Sequence, residues 1–237
     1  MSPQHAVILG GSSGIGLATA RQLIASGMRV TITGRDETKL KKACDALAGA
    51  TGMAMDAAAI GNLDAVFAKI GSFDHLVLAF GSGKGLGPFA SISLEEVRAS
   101  FEEKVYPHFA AAQAALPYIA KSGSITFLSS VSAHAAMPGT AGISAANAAV
   151  ASLVPTLAAE LRPLRVNGVS PGVIDTPWWD FLPDDQKNSV FNEYAGKTPV
   201  GRVGKPEDIA QAIAFVIGNG FMSGHNILCD GGLRWTP

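Results

Sequence analysis

Short runs rich in apolar residues alternate along this chain with longer stretches whose apolar residues recur every three or four positions. The runs are Ala6–Leu9, Arg29–Thr33, Thr51–Met55, His75–Ala79, Ser124–Leu128, Arg165–Val169 and Asn226–Cys229. They show almost none of the polar alternation of a half-solvated strand and read as parallel strands covered on both faces. Between them lie helical patterns. Leu17, Ala20, Leu23 and Ile24 share one face of a helix over Leu17–Ser26. Ser93-Leu94-Glu95-Glu96 has the form of a capping box and opens a helix that runs toward Ala120. An alanine-rich helix covers Ser144–Glu160, with Pro155 placed to bend it, and another follows Pro206 with Glu207 and Asp208 at its positive end. Regular β-α alternation predicts an α/β fold: a doubly wound sheet of about seven mostly parallel strands, with helices on both faces.

Ligands of such sheets bind beyond the carboxyl ends of the strands. The first of those ends carries Gly10-Gly11-Ser12-Ser13-Gly14-Ile15-Gly16, between a strand and a helix. Strand, glycine-rich turn and helix start aim backbone N–H groups and a positive helix end at one spot, which suits a pyrophosphate. The spacing is G-x-x-x-G-x-G rather than the commoner G-x-G-x-x-G. Gly10, Ser12, Ser13, Gly14, Ile15 and Gly16 are therefore the first candidate cofactor-binding residues, on a Rossmann-type sheet. The segment Asp175–Gly204 is longer than an ordinary connection and holds Trp178, Trp179, Phe181 and Tyr194. It reads either as a substrate lid or as a packing flap.

Composition narrows the class of protein. At 237 residues, 48% hydrophobic and 16% charged, the chain suits one large domain over residues 1–237, with 175–204 as an insertion. A net charge of −1 and the lack of basic runs argue against nucleic acid or an anionic membrane surface as partner. The chain starts with no secretory pattern, and no segment has the reach of a membrane span. Cys44 in a helical pattern and Cys229 in a strand have no metal or redox spacing, so no metal is expected and a reducing cytoplasm fits.

The second strand bears on which nucleotide is bound. A dinucleotide site usually carries an acid about twenty residues past the turn, to hold the ribose diol of NAD. Here that position is Gly34, followed by Arg35 and Asp36. Arg35 can pair with a 2′-phosphate, whereas Asp36 has the place of a helix N-cap. NADP(H) is expected in preference to NAD(H).

With these residues in place, the chain resembles the short-chain dehydrogenase/reductase family over nearly its full length. Asp56 looks like the family's adenine-contacting acid after the third strand. Leu78-Ala79-Phe80-Gly81 stands where the family has N-N-A-G, keeping only the glycine, Gly81. Gly123–Ser130 resembles the strand that ends in the catalytic serine, Ser130. Arg165–Thr176 is similar to the nicotinamide-side motif, which makes Pro171, Gly172, Ile174 and Thr176 cofactor contacts. Pro199-Val200-Gly201-Arg202 and Asp230-Gly231-Gly232 fit as well. The resemblance implies a homodimer or homotetramer built on the two long helices and the last strand.

The resemblance departs at the reacting centre. Thirteen residues after the serine the family has Y-x-x-x-K, the tyrosine as general acid/base and the lysine holding the ribose. This chain has Ile143 and Asn147 there, and no tyrosine between Tyr118 and Tyr194. Ile143 has no proton to give; Asn147 can still hydrogen-bond a ribose hydroxyl but carries no charge. In the long preceding helix, where the family has asparagine in F-x-x-N, the chain reads Phe101-Glu102-Glu103-Lys104. Asparagine and lysine have exchanged places on two helices expected to pack side by side. Lys104 either enters the site or snorkels to solvent, and Pro107 is expected to kink its helix.

Candidate proton donors are then Lys104, His134 on the loop after the serine strand, and Tyr194 in the insertion. Ser130 is placed to polarise a carbonyl oxygen. Lys84 could touch phosphate or substrate, and His108 is expected to face a partner helix. The sequence supports an NADP(H)-dependent oxidoreductase of small carbonyl or alcohol substrates, apolar or aromatic in character, with a rebuilt proton-transfer site. It also leaves open a non-catalytic NADP(H)-binding sensor or partner subunit, and a lyase or epimerase on the same scaffold.

Overall fold

The computed structural model describes residues 3–57 and 59–236. Seven strands form one sheet: β1 (His5–Leu9), β2 (Arg29–Gly34), β3 (Ala50–Ala54), β4 (Phe73–Leu78), β5 (Ile119–Leu128), β6 (Arg165–Pro171) and β7 (Asn226–Cys229). Their order is β3-β2-β1-β4-β5-β6-β7, and every pairing is parallel. Each predicted strand is present, with ends displaced by a few residues; β5 begins earlier than expected, at Ile119.

The apolar runs are explained by the two cores they serve. In β1, Val7 and Leu9 face one core while Ala6 and Ile8 face the other. The first core is closed by α3 (Leu63–Ile70), α5 (Tyr106–Ala115) and α6 (Ala141–Glu160), through residues such as Phe67, Ala111 and Val150. The second is closed by α1 (Gly14–Ala25), α2 (Glu37–Ala46) and α8 (Pro206–Gly218), through Leu23, Leu40 and Ile213. A strand buried on both sides has no place for polar alternation.

Several expectations are revised. The helix opening at Ser93 is α4 (Leu94–Ser100), which passes through a π-helical turn at Phe101–Val105 into α5 and ends at Ala115, not near Ala120. Pro107 produces this result: it lacks an N–H, and the wider turn directly before it absorbs the missing bond. Ser93 accepts from Glu96 N at 3.2 Å, but Glu96 turns toward Lys84 Nζ at 3.5 Å, so only half of a capping box forms. Residues 175–204 contain a helix the sequence reading did not anticipate, α7 (Asp184–Lys197). The 20-residue α6 is, by length and composition, apolar enough to cross a membrane, contrary to expectation. Its many alanines and single charged residue, Glu160, give it that character, while the helix packs along β6 and the π-helical turn.

Candidate active site

Two features meet at the carboxyl ends of the strands: a cradle made of backbone and a corner made of side chains. The cradle lies where β1 and β4 diverge, the point at which the strand order reverses. Gly10 (φ 81°) and Gly14 (φ 51°) take left-handed conformations that favour glycine. A side chain on Gly16 would collide with the Gly10 carbonyl oxygen, and one on Gly10 would lie 2.8 Å from the Ala79 carbonyl. Ser13, the N-cap of α1, makes no capping hydrogen bond, and the first turn holds no acid. The leading N–H groups are therefore not claimed by a cap and suit an anionic ligand. Thr176 arches over the turn, its side chain 3.3 Å from where a Gly14 Cβ would stand.

Gly34 is buried, and a Cβ there would lie 2.6 Å from Ser12 Oγ. An acid at the NAD-ribose position would have to displace Ser12. Arg35 is exposed just beyond it, and Asp36 caps α2, accepting from Lys39 N at 3.0 Å. Asp56 is exposed after β3. Gly81 follows β4 beside Lys104, and Pro171, Gly172 and Ile174 continue from β6 toward Thr176.

The corner is built by β5, the π-helical turn and α6. Lys104 does not snorkel: it is 6% exposed, and its Nζ donates to the Ser129 carbonyl at 3.4 Å. That Nζ stands 3.8 Å from where a Gly81 Cβ would be. Lys104 makes no ion pair among the described residues. Burial pushes its ammonium pKa down to about 8. Ser129 Oγ donates to the Asn147 carbonyl at 2.8 Å, and Asn147 Nδ2 to Ser132 Oγ at 3.0 Å. Ser132 N in turn donates to Ser130 Oγ at 3.3 Å. Lys104, Asn147 and Ser130 thus belong to one connected network, through Ser129 and Ser132, which the sequence reading did not single out. Asn147 is 2% exposed, and its Oδ1 has no partner. A buried orphan acceptor is costly, and a ribose hydroxyl would satisfy it. The residues present fit a nicotinamide dinucleotide.

Other candidates are not drawn together with these. Ile143 is buried in the first turn of α6, its N–H donating to the Gly85 carbonyl at 3.0 Å. His134 is exposed, with Nε2 3.3 Å from Ser170 Oγ; burial, then Arg234, hold its pKa below the usual histidine value. Lys84 pairs with Glu96, and Tyr194 lies on α7 under Lys197. His108 turns toward the sheet, its ring centroid 6.2 Å from that of Phe127 in β5. It is fully buried against Phe80, ring centroids 4.1 Å apart, and burial followed by Lys104 lowers its pKa to about 3.

Comparison with known proteins agrees with this geometry. A family model described as enoyl-(acyl carrier protein) reductase matches residues 10–234. The chain belongs to the short-chain dehydrogenase/reductase family. It is 32% identical to the cis-4-hydroxycyclohexanecarboxylate dehydrogenase of Sinomonas cyclohexanicum, over 96% of this chain and 95% of that one. A small-chain dehydrogenase solved in complex with NADPH superposes with a TM-score of 0.86 at 29% identity, covering 98% of this chain and 99% of that one. A short-chain oxidoreductase of Pseudomonas aeruginosa PAO1, described as containing an atypical catalytic center, superposes with a TM-score of 0.87 at 28% identity over 97% of each chain. The protein is accordingly an oxidoreductase of the short-chain type, dependent on NAD(H) or NADP(H).

Proposed function

We propose that this short-chain oxidoreductase uses NADP(H) and acts on a carbonyl or alcohol through a proton-transfer site rebuilt around Lys104 and Ser130. The observation that carries the reading is the buried, unpaired Lys104 ammonium one hydrogen bond from Ser129, across the corner from Asn147. In the family pattern the chain resembles, a lysine would stand at residue 147 and a tyrosine at residue 143. Ile143 can exchange no proton, and Asn147 no charge. A cation entering from the opposite helix keeps positive charge in the corner without them.

The bound dinucleotide supplies or accepts a hydride. Gly10, Ser12, Ser13, Gly14, Ile15 and Gly16 would cradle its phosphates, Arg35 the 2′-phosphate, and Asp56 the adenine. Gly81, Pro171, Gly172, Ile174 and Thr176 would line the path to the nicotinamide, with Asn147 Oδ1 accepting from the ribose. Ser130 donates a hydrogen bond to the substrate oxygen. Lys104 holds the transferable proton: its pKa near 8 leaves it mostly charged at neutral pH yet able to release that proton. His134, at the rim, is the lesser candidate for the same role. Residues 175–204 serve as a lid whose aromatic side chains favour an apolar or aromatic substrate. The outer face of α6, uncharged up to its last residue Glu160, and the exposed Tyr106 and Phe109 of α5 support self-association into a homodimer or homotetramer.

The test is a fluorescence titration with NADPH and NADH, followed by turnover on aldehydes, ketones and quinones from pH 6 to 9. Tighter binding of NADPH, with turnover that drops well over tenfold in Lys104→Ala, is the expected result. Tight NADPH binding with no turnover on any of these would favour a non-catalytic binding protein, and a mild loss in Lys104→Ala would end the role given to that lysine.

A further inference from the structure

The two loops that flank the cleft, after β4 and after β6, are joined by one side chain. Trp178 Nε1 donates to the Ser82 carbonyl at 3.2 Å, between residues 96 positions apart. On the β6 side, Trp178 meets Trp179 and Phe181 edge to face, at centroid distances of 4.8 and 5.4 Å. Trp179 packs on Phe191 of α7 and donates through its own indole N–H to the Ile174 carbonyl at 3.0 Å. The start of the insertion is thus one aromatic unit hung from the end of β6.

On the β4 side, Ser82 is anchored rather than loose. Its buried hydroxyl donates to Glu103 Oε2 at 2.8 Å and accepts from Lys84 N at 2.9 Å. Glu103 directly precedes Lys104 in the π-helical turn. The same loop takes the Ile143 N–H at Gly85, and Gly87 N donates to the Gly139 carbonyl at 2.8 Å. A movement of Ser82 is therefore felt at the turn that carries Lys104 and at the start of α6.

We propose that Trp178 is a latch that couples the two loops into a single gate and, through Ser82 and Glu103, ties closure of that gate to the position of Lys104. The inference rests on reading 175–204 as a lid. A half-exposed hydrogen bond between neutral groups is strong enough to favour closure and weak enough to open during a catalytic cycle. Its loss changes the ratio of closed to open by about fivefold.

Hydrogen–deuterium exchange on the ligand-free protein tests this directly. In Trp178→Phe, which keeps a ring but removes the donor, exchange should rise by about fivefold in both 81–87 and 175–182, with β1 and β6 unchanged. Ser82→Ala should raise exchange in 81–87 and in 101–105, and the double variant should add little beyond either single change. NADPH association and dissociation, followed by stopped-flow fluorescence, should both quicken in Trp178→Phe while the Kd stays within about twofold. Exchange that rises only in 175–182, or additive effects in the double variant, would overturn the latch. Failure of NADPH to bind the wild-type protein would instead count against the function proposed above, with the exchange result still deciding the latch. If Trp178→Phe does not fold, Glu103→Ala approaches the same coupling from the other end: faster exchange in 175–182 supports it, and an unchanged 175–182 refutes it.

Discussion

The cradle and the corner lie on the same edge of the sheet and are built on opposite principles. The cradle is backbone: left-handed glycines, helix-start N–H groups, and a Gly34 whose missing side chain makes room for Ser12. The corner is side chain: Lys104 of the π-helical turn, Ser129, Ser130 and Ser132 from the segment after β5, and Asn147 of α6, joined in one network. The cradle keeps its family form because almost any side chain at Gly10 or Gly16 would meet a carbonyl oxygen. In the corner, by contrast, a charge can be supplied from either of two elements packed against each other, the π-helical turn and α6. A cradle built for the cofactor can therefore stand beside the rebuilt proton-transfer site proposed above, and intact cofactor motifs do not by themselves specify a catalytic step.

The difference can be broken at either end. The largest effect is expected from Gly16→Val, which forces side-chain atoms against the Gly10 carbonyl. NADPH affinity should fall by at least about a hundredfold in a fluorescence titration, since backbone strain leaves the phosphate donors misplaced. An affinity within fivefold of wild type would mean the cradle is softer than its geometry implies.

Lys104→Met should separate the two regions most cleanly. Turnover should fall by well over tenfold while the NADPH Kd changes by less than about threefold. The same change should stabilise the protein. The folded pKa near 8 lies below the ordinary lysine value of 10.5, so burial penalises the charged form at neutral pH. Removing that penalty should raise Tm, by roughly 2–4 °C for each kcal/mol recovered, as calorimetry would show. A Tm that falls would argue that the ammonium is better satisfied than its single 3.4 Å bond suggests.

Arg35→Ala acts on the cradle's only proposed side-chain discriminator. NADPH binding should weaken by about tenfold and NADH binding by less than twofold, the difference expected for one charge-assisted contact to a phosphate. Equal losses for both would remove the preference for NADP(H).

The smallest effect is a pH dependence. If Lys104 is the acid, carbonyl reduction should fall as pH rises through about 8, and alcohol oxidation should rise over the same window, because the base form is then needed. A reduction profile flat from pH 7 to 9.5 would assign the proton to another group.

Much of the fold was legible in one dimension. The run Ala6–Leu9 is apolar at every position because β1 feeds both cores, a pattern that fits a parallel sheet covered on two sides. Asp36 was legible as a cap because a carboxylate three residues before a free N–H is a local event. Helix α7 was not legible: its 14 residues are mostly polar, and none is buried, so no apolar face marks it. The π-helical turn was visible only as a proline out of place; the wider winding that accommodates Pro107 depends on what packs around it.

The candidate site divides in the same way. The glycine spacing, Arg35 beside Gly34, and the presence of Lys104, Ile143 and Asn147 at their positions are properties of the sequence itself, since each is a matter of residue type and interval. Whether Lys104 reached solvent or the interior was decided only by tertiary packing, which wraps it with β5, the loop at Gly81 and α6 and leaves it 6% exposed. The same is true of His108, which packing turns into the core, and of the bond from Trp178 to Ser82 across 96 residues. The physical reason is range. Backbone conformation and capping are settled by neighbours a few residues away, whereas burial, an ammonium's pKa and a contact between distant loops exist only once separate elements share one volume.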